Sequence, residues 1–107
     1  MIIRVSGYYT LDTEDISNQL QENNLYLEVD TTNGPVNIIL PAIRRFNGFR
    51  PFNIYFSDIN GNALINNITI IASGGNTING AIDVTINTPF GSASALVVSD
   101  TQWLANV

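Results

Sequence analysis

The fold is decided by residues 25–41, which read LYLEVDTTNGPVNIILP. Apolar positions alternate with polar or aromatic ones on both sides of a central break, and a period of two is typical of a strand with one buried face. The break contains Asn33-Gly34, which supplies the positive φ angles of a tight hairpin turn. Pro41 ends the second run, because proline cannot donate to a sheet ladder. The stretch therefore predicts two strands joined as a hairpin.

The same alternation continues outward from this stretch in both directions. Further runs bounded by turn residues cover residues 2–11, 52–57, 68–72, 81–86 and 93–98. Short strands at roughly ten-residue spacing are typical of all-β sandwiches and barrels. The sequence predicts one β domain over residues 1–107, a small antiparallel sandwich or barrel of about seven or eight short strands.

The polar segment 12–24 interrupts this pattern. Asp12 followed by Asp15 resembles a helix N-cap with an acid three residues on, and Ile16 and Leu20 are four positions apart. These spacings are compatible with one short helix near residues 12–20. A loop is the competing interpretation.

The composition excludes several kinds of chemistry. The chain has no Cys and no His, and its four cations are all arginine, at positions 4, 44, 45 and 50. Disulfides, zinc–thiolate sites and catalysis by histidine, cysteine or lysine are therefore excluded. A net charge of −5 with a pI of about 4.1 argues against nucleic acid as a partner, because phosphate binding needs clustered cations.

The sequence also has no segment that predicts membrane insertion or export. No run of about eighteen apolar residues occurs. The apolar stretch at the N-terminus, Ile2-Ile3, is too short for a signal peptide. We expect synthesis and folding in the cytoplasm of the cell that makes the protein.

General acid–base catalysis would have to come from nine carboxylates and four tyrosines. Asp12, Glu14 and Asp15 form the one acidic cluster, and capping or solvation explains it. The segment 58–62, DINGN, faintly resembles the start of a calcium loop, but its glycine comes too early and no glutamate closes it. The sequence predicts no catalytic residue, no metal ligand and no cofactor, and hence a protein that is not an enzyme.

Candidate binding residues are aromatic and arginine side chains. An exposed ring can stack on a sugar or fill a pocket on a partner, and clustered arginines can dock an acidic partner. The alternatives are a core or subunit-interface ring and a polar loop that balances local acid. The candidates are Tyr9, Arg44, Arg45, Phe49, Arg50 and Trp103.

Residues 25–104 resemble a pattern found in bacteriophage fibre, spike and other virion proteins. Its elements are LEVDTTNGPVNIILP at 27–41, IYFSD at 54–58, GNA at 61–63, NNITI at 66–70, SGGNTING at 73–80, and Ser99-Asp100 with Trp103. Thr101-Gln102 replaces the glycine common between the final Asp and Trp, and residues 42–52 have no counterpart in the pattern.

The resemblance implies a non-enzymatic virion protein made in the host cytoplasm. Such modules decorate a capsid or form head fibres, tail fibres or spikes, they are often homotrimers, and they contact other virion proteins or a host-surface glycan. Two rival hypotheses stay open: a small carbohydrate-binding module that uses exposed aromatics, and a small hydrolase or lyase built on carboxylates.

Overall fold

A computed structural model describes residues 2–11, 24–43 and 53–107. These residues form an all-β structure of ten short strands in two mixed sheets, which confirms the predicted fold class. The strands are β1 Ile2–Val5, β2 Tyr8–Thr10, β3 Asn24–Val29, β4 Val36–Ile39, β5 Asn53–Asp58, β6 Ile68–Ile71, β7 Thr77–Ile78, β8 Asp83–Ile86, β9 Ser92–Val97 and β10 Gln102–Asn106.

The first six strands alternate between the two sheets. The six-stranded sheet has the order β1-β3-β5-β9-β10-β7, and the four-stranded sheet has the order β2-β4-β6-β8. The pairs β1–β2, β3–β4 and β5–β6 therefore form three successive rungs, each with one strand in either sheet. Neighbouring rungs pair in parallel in both sheets. Strands β8 and β9 then add in antiparallel orientation to β6 and β5.

The predicted antiparallel architecture is wrong, because the sheets are mixed. The predicted hairpin over 25–40 is wrong for the same reason, since β3 and β4 belong to different sheets. A type I′ hairpin turn needs positive φ at both central residues, and Asn33 is not among the non-glycine residues with positive φ. The turn instead carries the chain from one sheet to the other. The described residues have ten strands rather than seven or eight, and the helix proposed near 12–20 lies outside them.

Alternation directs one face of each sheet into a shared core. In the six-stranded sheet, Leu25 lies beside Ile54 and Leu27 beside Phe56, and in the four-stranded sheet Ile38 lies beside Ile70. All of these side chains are buried in one hydrophobic cluster. In-register apolar neighbours are what stabilise parallel rungs, since each ladder removes aliphatic surface from water.

The described residues form a compact body, with a Cα radius of gyration of 12.9 Å. Among these residues there is no helix long and apolar enough to cross a membrane.

Candidate binding surface

The outer face of the six-stranded sheet carries an in-register row of side chains. The parallel pairing aligns Ile2 with Tyr26 and Tyr26 with Tyr55, and the antiparallel pairing continues the row to Ser94 and Asn106. Tyr26, Tyr55 and Ser94 point outward because both chain neighbours of each point into the core, as the alternating burial of the strands shows. The row therefore crosses five strands on one solvent-facing surface.

The two tyrosines in this row stack on each other. Their ring centroids are 5.0 Å apart and the ring planes differ by 15°. Such aromatic pairs contribute about 0.5–1.5 kcal/mol beyond the area they bury. Tyr26 is 44% exposed, so the stack stands on the sheet surface and not in the core. The mutual contact fixes the position of both rings before any partner arrives.

A shallow groove of about 510 Å³ adjoins the stacked rings. Small polar side chains make up most of its remaining lining, and strand residues supply nearly all of it. The lining residues are Tyr26, Tyr55, Phe56, Ser57, Ser92, Ala93, Ser94, Asn106 and Val107. A groove built on strands in the middle of a sheet is held by the ladder hydrogen bonds, so its shape is preformed.

No Asp, Glu or Arg side chain lines the groove. On the neighbouring row, Arg4 Nη2 lies 3.2 Å from Glu28 Oε1 in an exposed ion pair between β1 and β3. An exposed pair of this kind adds little to stability. Because its lining contains no charged side chain, the groove is suited to an uncharged partner.

A buried cluster of hydrogen bonds surrounds Asp58. This side chain is 2% exposed and accepts four hydrogen bonds. Its Oδ1 accepts from the Thr31 hydroxyl at 2.6 Å and from the Gly61 N–H at 3.1 Å. Its Oδ2 accepts from the N–H groups of Ala63 and Phe90, both at 3.0 Å. Asp58 is the one acid in the segment 58–62 that resembles a calcium loop, and protein donors bind both of its oxygens.

The environment of Asp58 keeps its carboxylate ionised. Burial acts to raise the pKa of Asp58, but the Thr31 hydroxyl and the backbone N–H groups of Ala63, Phe90 and Gly61 outweigh it and lower the pKa. A general acid or base needs a proton that it can exchange near its working pH. Asp58 instead ties the turn after β5 to the turn before β9 and to Thr31, which is a structural role.

The structure places two of the six candidate binding residues that the sequence suggested. Tyr9 is half-buried and packs against the core, and Trp103 is fully buried in it. Trp103 therefore takes the core alternative, whereas the predicted binding role of Tyr9 stays a prediction. Arg44, Arg45, Phe49 and Arg50 lie outside the described residues, so their predicted role stays a prediction.

Sequence reasoning missed the stacked tyrosines. The signal that reveals them is a short repeat, because Asn24-Leu25-Tyr26 and Asn53-Ile54-Tyr55 share one pattern. The two segments pair residue for residue in neighbouring parallel strands. A repeated aromatic at an outward position predicts a lateral stack once the strands are known to be parallel and in register.

No protein-family model matches the chain, and a search of the curated proteins finds no significant match. The described residues form an aromatic surface whose groove is lined by no Asp, Glu or Arg side chain, and the core beneath contains Asp58, the most buried acid among them. That arrangement can bind a partner by shape, stacking and neutral hydrogen bonds.

Proposed function

We propose that the chain is a non-enzymatic structural module of a bacteriophage virion, and that it assembles with copies of itself as a homotrimer. The role is that of a capsid-decoration, head-fibre, tail-fibre or spike module, which works by shape and multivalent contact with other virion proteins. The resemblance of residues 25–104 to such proteins supports the assignment to a virion. Face-to-face packing of the two sheets as a sandwich is part of the same proposal.

The observation that supports self-assembly is that the two strands of the first rung, β1 and β2, are both edge strands. Among the described strands, β1 pairs with β3 alone and β2 with β4 alone, so both strands are edges at the same end of the molecule. Unpaired edges are templates for pairing with another chain. Exposed apolar side chains flank both edges, since Ile2 is 65% and Tyr8 is 71% exposed.

The hydrogen bonds identify which main-chain groups face the free edge. Val5 O accepts from Asp30 N, and Gly7 O accepts from Asn37 N, so these two carbonyls face the interior of their sheets. Successive residues of a strand direct their N–H and C=O groups to opposite sides. Arg4 and Tyr8 therefore present their N–H and C=O groups to the open side, where a neighbouring subunit can pair with them.

The first experiment is light scattering coupled to size-exclusion chromatography over a concentration series. We expect a mass near 35 kDa, three times the chain's 11.7 kDa. The double variant Ile2→Lys/Tyr8→Lys should dissociate to the monomer, because lysine at an edge opposes strand pairing. Ile65→Lys is the matched control, since Ile65 is 82% exposed and lies outside β1 and β2.

A second pair of variants separates edge pairing from loss of fold. Thr10→Pro removes an N–H on the open side of β2, whereas Tyr9→Pro removes one that faces β4. Thr10→Pro should yield a folded monomer, and Tyr9→Pro should lower the melting temperature. A wild-type protein that stays monomeric at all concentrations, or a Thr10→Pro protein that keeps the wild-type mass, would refute assembly through this edge.

The virion assignment has its own test, which is the genomic neighbourhood. Adjacent capsid and tail genes are the expected finding. A neighbouring polysaccharide-utilisation cluster would instead favour a carbohydrate-binding module, the second candidate function. The stacked tyrosines beside the groove are the specific observation that supports that candidate.

A further inference from the structure

We propose that the groove beside Tyr55 binds a neutral oligosaccharide, with one sugar ring packed against the tyrosine ring. The site consists of the Tyr26–Tyr55 stack, the three serines Ser57, Ser92 and Ser94, and Asn106. This assignment deepens the carbohydrate-binding candidate named above and rests on the same tyrosine stack, and it does not depend on the proposed virion role or on self-assembly.

The shape of the site follows from the strand register. One face of the Tyr55 ring contacts Tyr26 on β3, and Ser94 on β9 lies on the opposite side of Tyr55 in the same row. Asn106 on β10 continues that row. The side chains of Ser94 and Asn106 are shorter than that of Tyr55, so the surface beside the Tyr55 ring is lower and polar. This lower surface covers two strand spacings of about 4.8 Å, which gives it a width of roughly 10 Å, enough for a pyranose ring that packs against the tyrosine.

The lining chemistry selects the ligand class. Three hydroxyls and one amide can each donate and accept hydrogen bonds, which matches a ligand that carries hydroxyls around its whole perimeter. The apolar face of a sugar ring can pack on the remaining face of Tyr55. No charged side chain lines the groove. The net charge of −5 repels acidic glycans, so the site favours neutral ones.

The size and openness of the groove fit the same ligand. Its volume of about 510 Å³ falls within the range of small-molecule sites, about 300–1,000 Å³. The groove is open, so a bound sugar keeps part of its perimeter in water and its outward hydroxyls need no protein partner. A single open site of this kind binds weakly. Repeated sites on an assembly raise the overall avidity without any new contact, and only this gain rests on the proposed self-assembly.

The test is a titration followed by ¹H–¹⁵N NMR with the full chain. The probes are maltohexaose, cellohexaose, hexa-N-acetylchitohexaose and, as the acidic comparison, hexagalacturonate at millimolar concentrations. We expect saturable shifts of the Ser57, Ser92, Ser94 and Asn106 amides with at least one neutral hexasaccharide. Hexagalacturonate should leave these amides unshifted.

Three variants assign the interaction to the ring. Tyr55→Ala should weaken binding at least about tenfold, equivalent to about 1.4 kcal/mol, because it removes the stacking wall. Tyr55→Phe keeps the ring and should bind within about threefold of the wild type, since a hydroxyl at the rim of an open site is replaceable by water. Phe90→Ala is the control, because Phe90 is an aromatic of 71% exposure outside the groove.

The results that would overturn the proposal are distinct. They are the absence of amide shifts with every neutral probe, equal binding by Tyr55→Ala, or binding of hexagalacturonate as tight as that of the neutral sugars. If Tyr55→Ala lowers the mass in light scattering and no sugar shifts the amides, the face is a subunit contact and the glycan site is refuted. A monomeric protein that binds a neutral hexasaccharide would refute self-assembly and support the site.

Discussion

Replacing Asp58 by asparagine tests the claim that this carboxylate holds the turns together. The substitution keeps the size of the side chain but exchanges one accepting oxygen for a donating NH₂ group. The less costly orientation places Nδ2 towards Thr31, because the Thr31 hydroxyl can rotate and accept. The oxygen then still accepts from Ala63 and Phe90, while the N–H of Gly61 and the hydroxyl hydrogen of Thr31 both lose their acceptor.

The expected loss follows from these contacts. Each unsatisfied donor costs about 1–3 kcal/mol when it is shielded from water. The bonds that remain lose their charge assistance, and charged hydrogen bonds are roughly twice as strong as neutral ones. We therefore expect Asp58→Asn to lower the free energy of unfolding by about 3 kcal/mol. At about 0.05–0.15 kcal/mol per residue, this is a large part of the total stability of a 107-residue chain.

Urea unfolding followed by tryptophan fluorescence is the assay, because the single tryptophan, Trp103, is fully buried and reports on the core. With an m-value of about 1.5 kcal/mol/M, the expected loss moves the midpoint by about 2 M. Asp83→Asn is the control, since it removes the same charge from an exposed position on β8. All proteins are compared at one chain concentration, because assembly adds to apparent stability. A loss below about 1 kcal/mol for Asp58→Asn, or an equal loss for Asp83→Asn, would refute the reasoning.

The pH dependence of the unfolding free energy of wild type and Asp58→Asn provides a second readout. The pKa of Asp58 is lowered from its ordinary value of 3.8 in the folded state, because its hydrogen bonds outweigh the effect of burial. The carboxylate therefore stabilises the fold above pH 3.8, and this contribution is lost as the pH falls below 3.8 and through the folded-state pKa. The stability gap between wild type and Asp58→Asn should narrow over that range. A gap that is constant down to the acid transition would contradict the ionised state assigned to Asp58.

Three further substitutions test other parts of the structure. Thr31→Val keeps the shape but removes the hydroxyl that donates to the buried carboxylate, and it should cost about 2 kcal/mol in urea unfolding; no measurable loss would contradict that contact. Asn79 pairs through its side-chain amide with both the N–H and the C=O of Ala105, at 2.9 and 2.8 Å. Asn79→Gly retains the backbone freedom needed at φ 52° but should cost about 1 kcal/mol and speed hydrogen exchange at the Ala105 amide; unchanged exchange would argue against the pairing. Gly74→Ala should destabilise the protein by about 1–2 kcal/mol, because φ is +65° and an added Cβ would lie 2.5 Å from the Ala42 Cβ; a variant as stable as the wild type would contradict this geometry.

The sequence predicts the fold class well because strand character is a local property. Period-two alternation places Leu25, Leu27 and Val29 on one face whatever partner the strand takes, and all three are buried. Strand partners are not local. Asn33-Gly34 is compatible with a hairpin turn and equally with a corner between two sheets, and only the packing of distant strands decides between them. Local alternation therefore predicts the strands themselves, whereas it does not predict that β3 and β4 belong to different sheets.

The Asp58 cluster could not be predicted for a related reason. In the six-stranded sheet, Asp58 occupies the inward position beside Val29, which itself lies beside Val5. A carboxylate in an aliphatic ladder contradicts the usual pattern of burial. Two of its four donors, Thr31 and Phe90, are 27 and 32 residues away in the chain. The segment 58–62 alone contains the acid and the Gly61 donor but neither of these distant donors.

The parallel rungs form a structural repeat that has no fixed period in the sequence. Tyr8 pairs with Asn37 and Tyr26 with Tyr55, so both pairs are 29 positions apart (8 to 37 and 26 to 55). Val36 and Ile68, however, are 32 positions apart (36 to 68), because the turn after β5 is longer than the turn after β3. A repeat with variable turns cannot be found at one fixed period. Lateral register is what brings the two tyrosines together, so the same stacking of rungs that hides the repeat also builds the proposed glycan site. One residue inserted into a loop between β3 and β5 should leave the strand register, and hence the site, intact. A one-residue slip of β5 against β3 would instead turn Tyr55 into the core and remove the site.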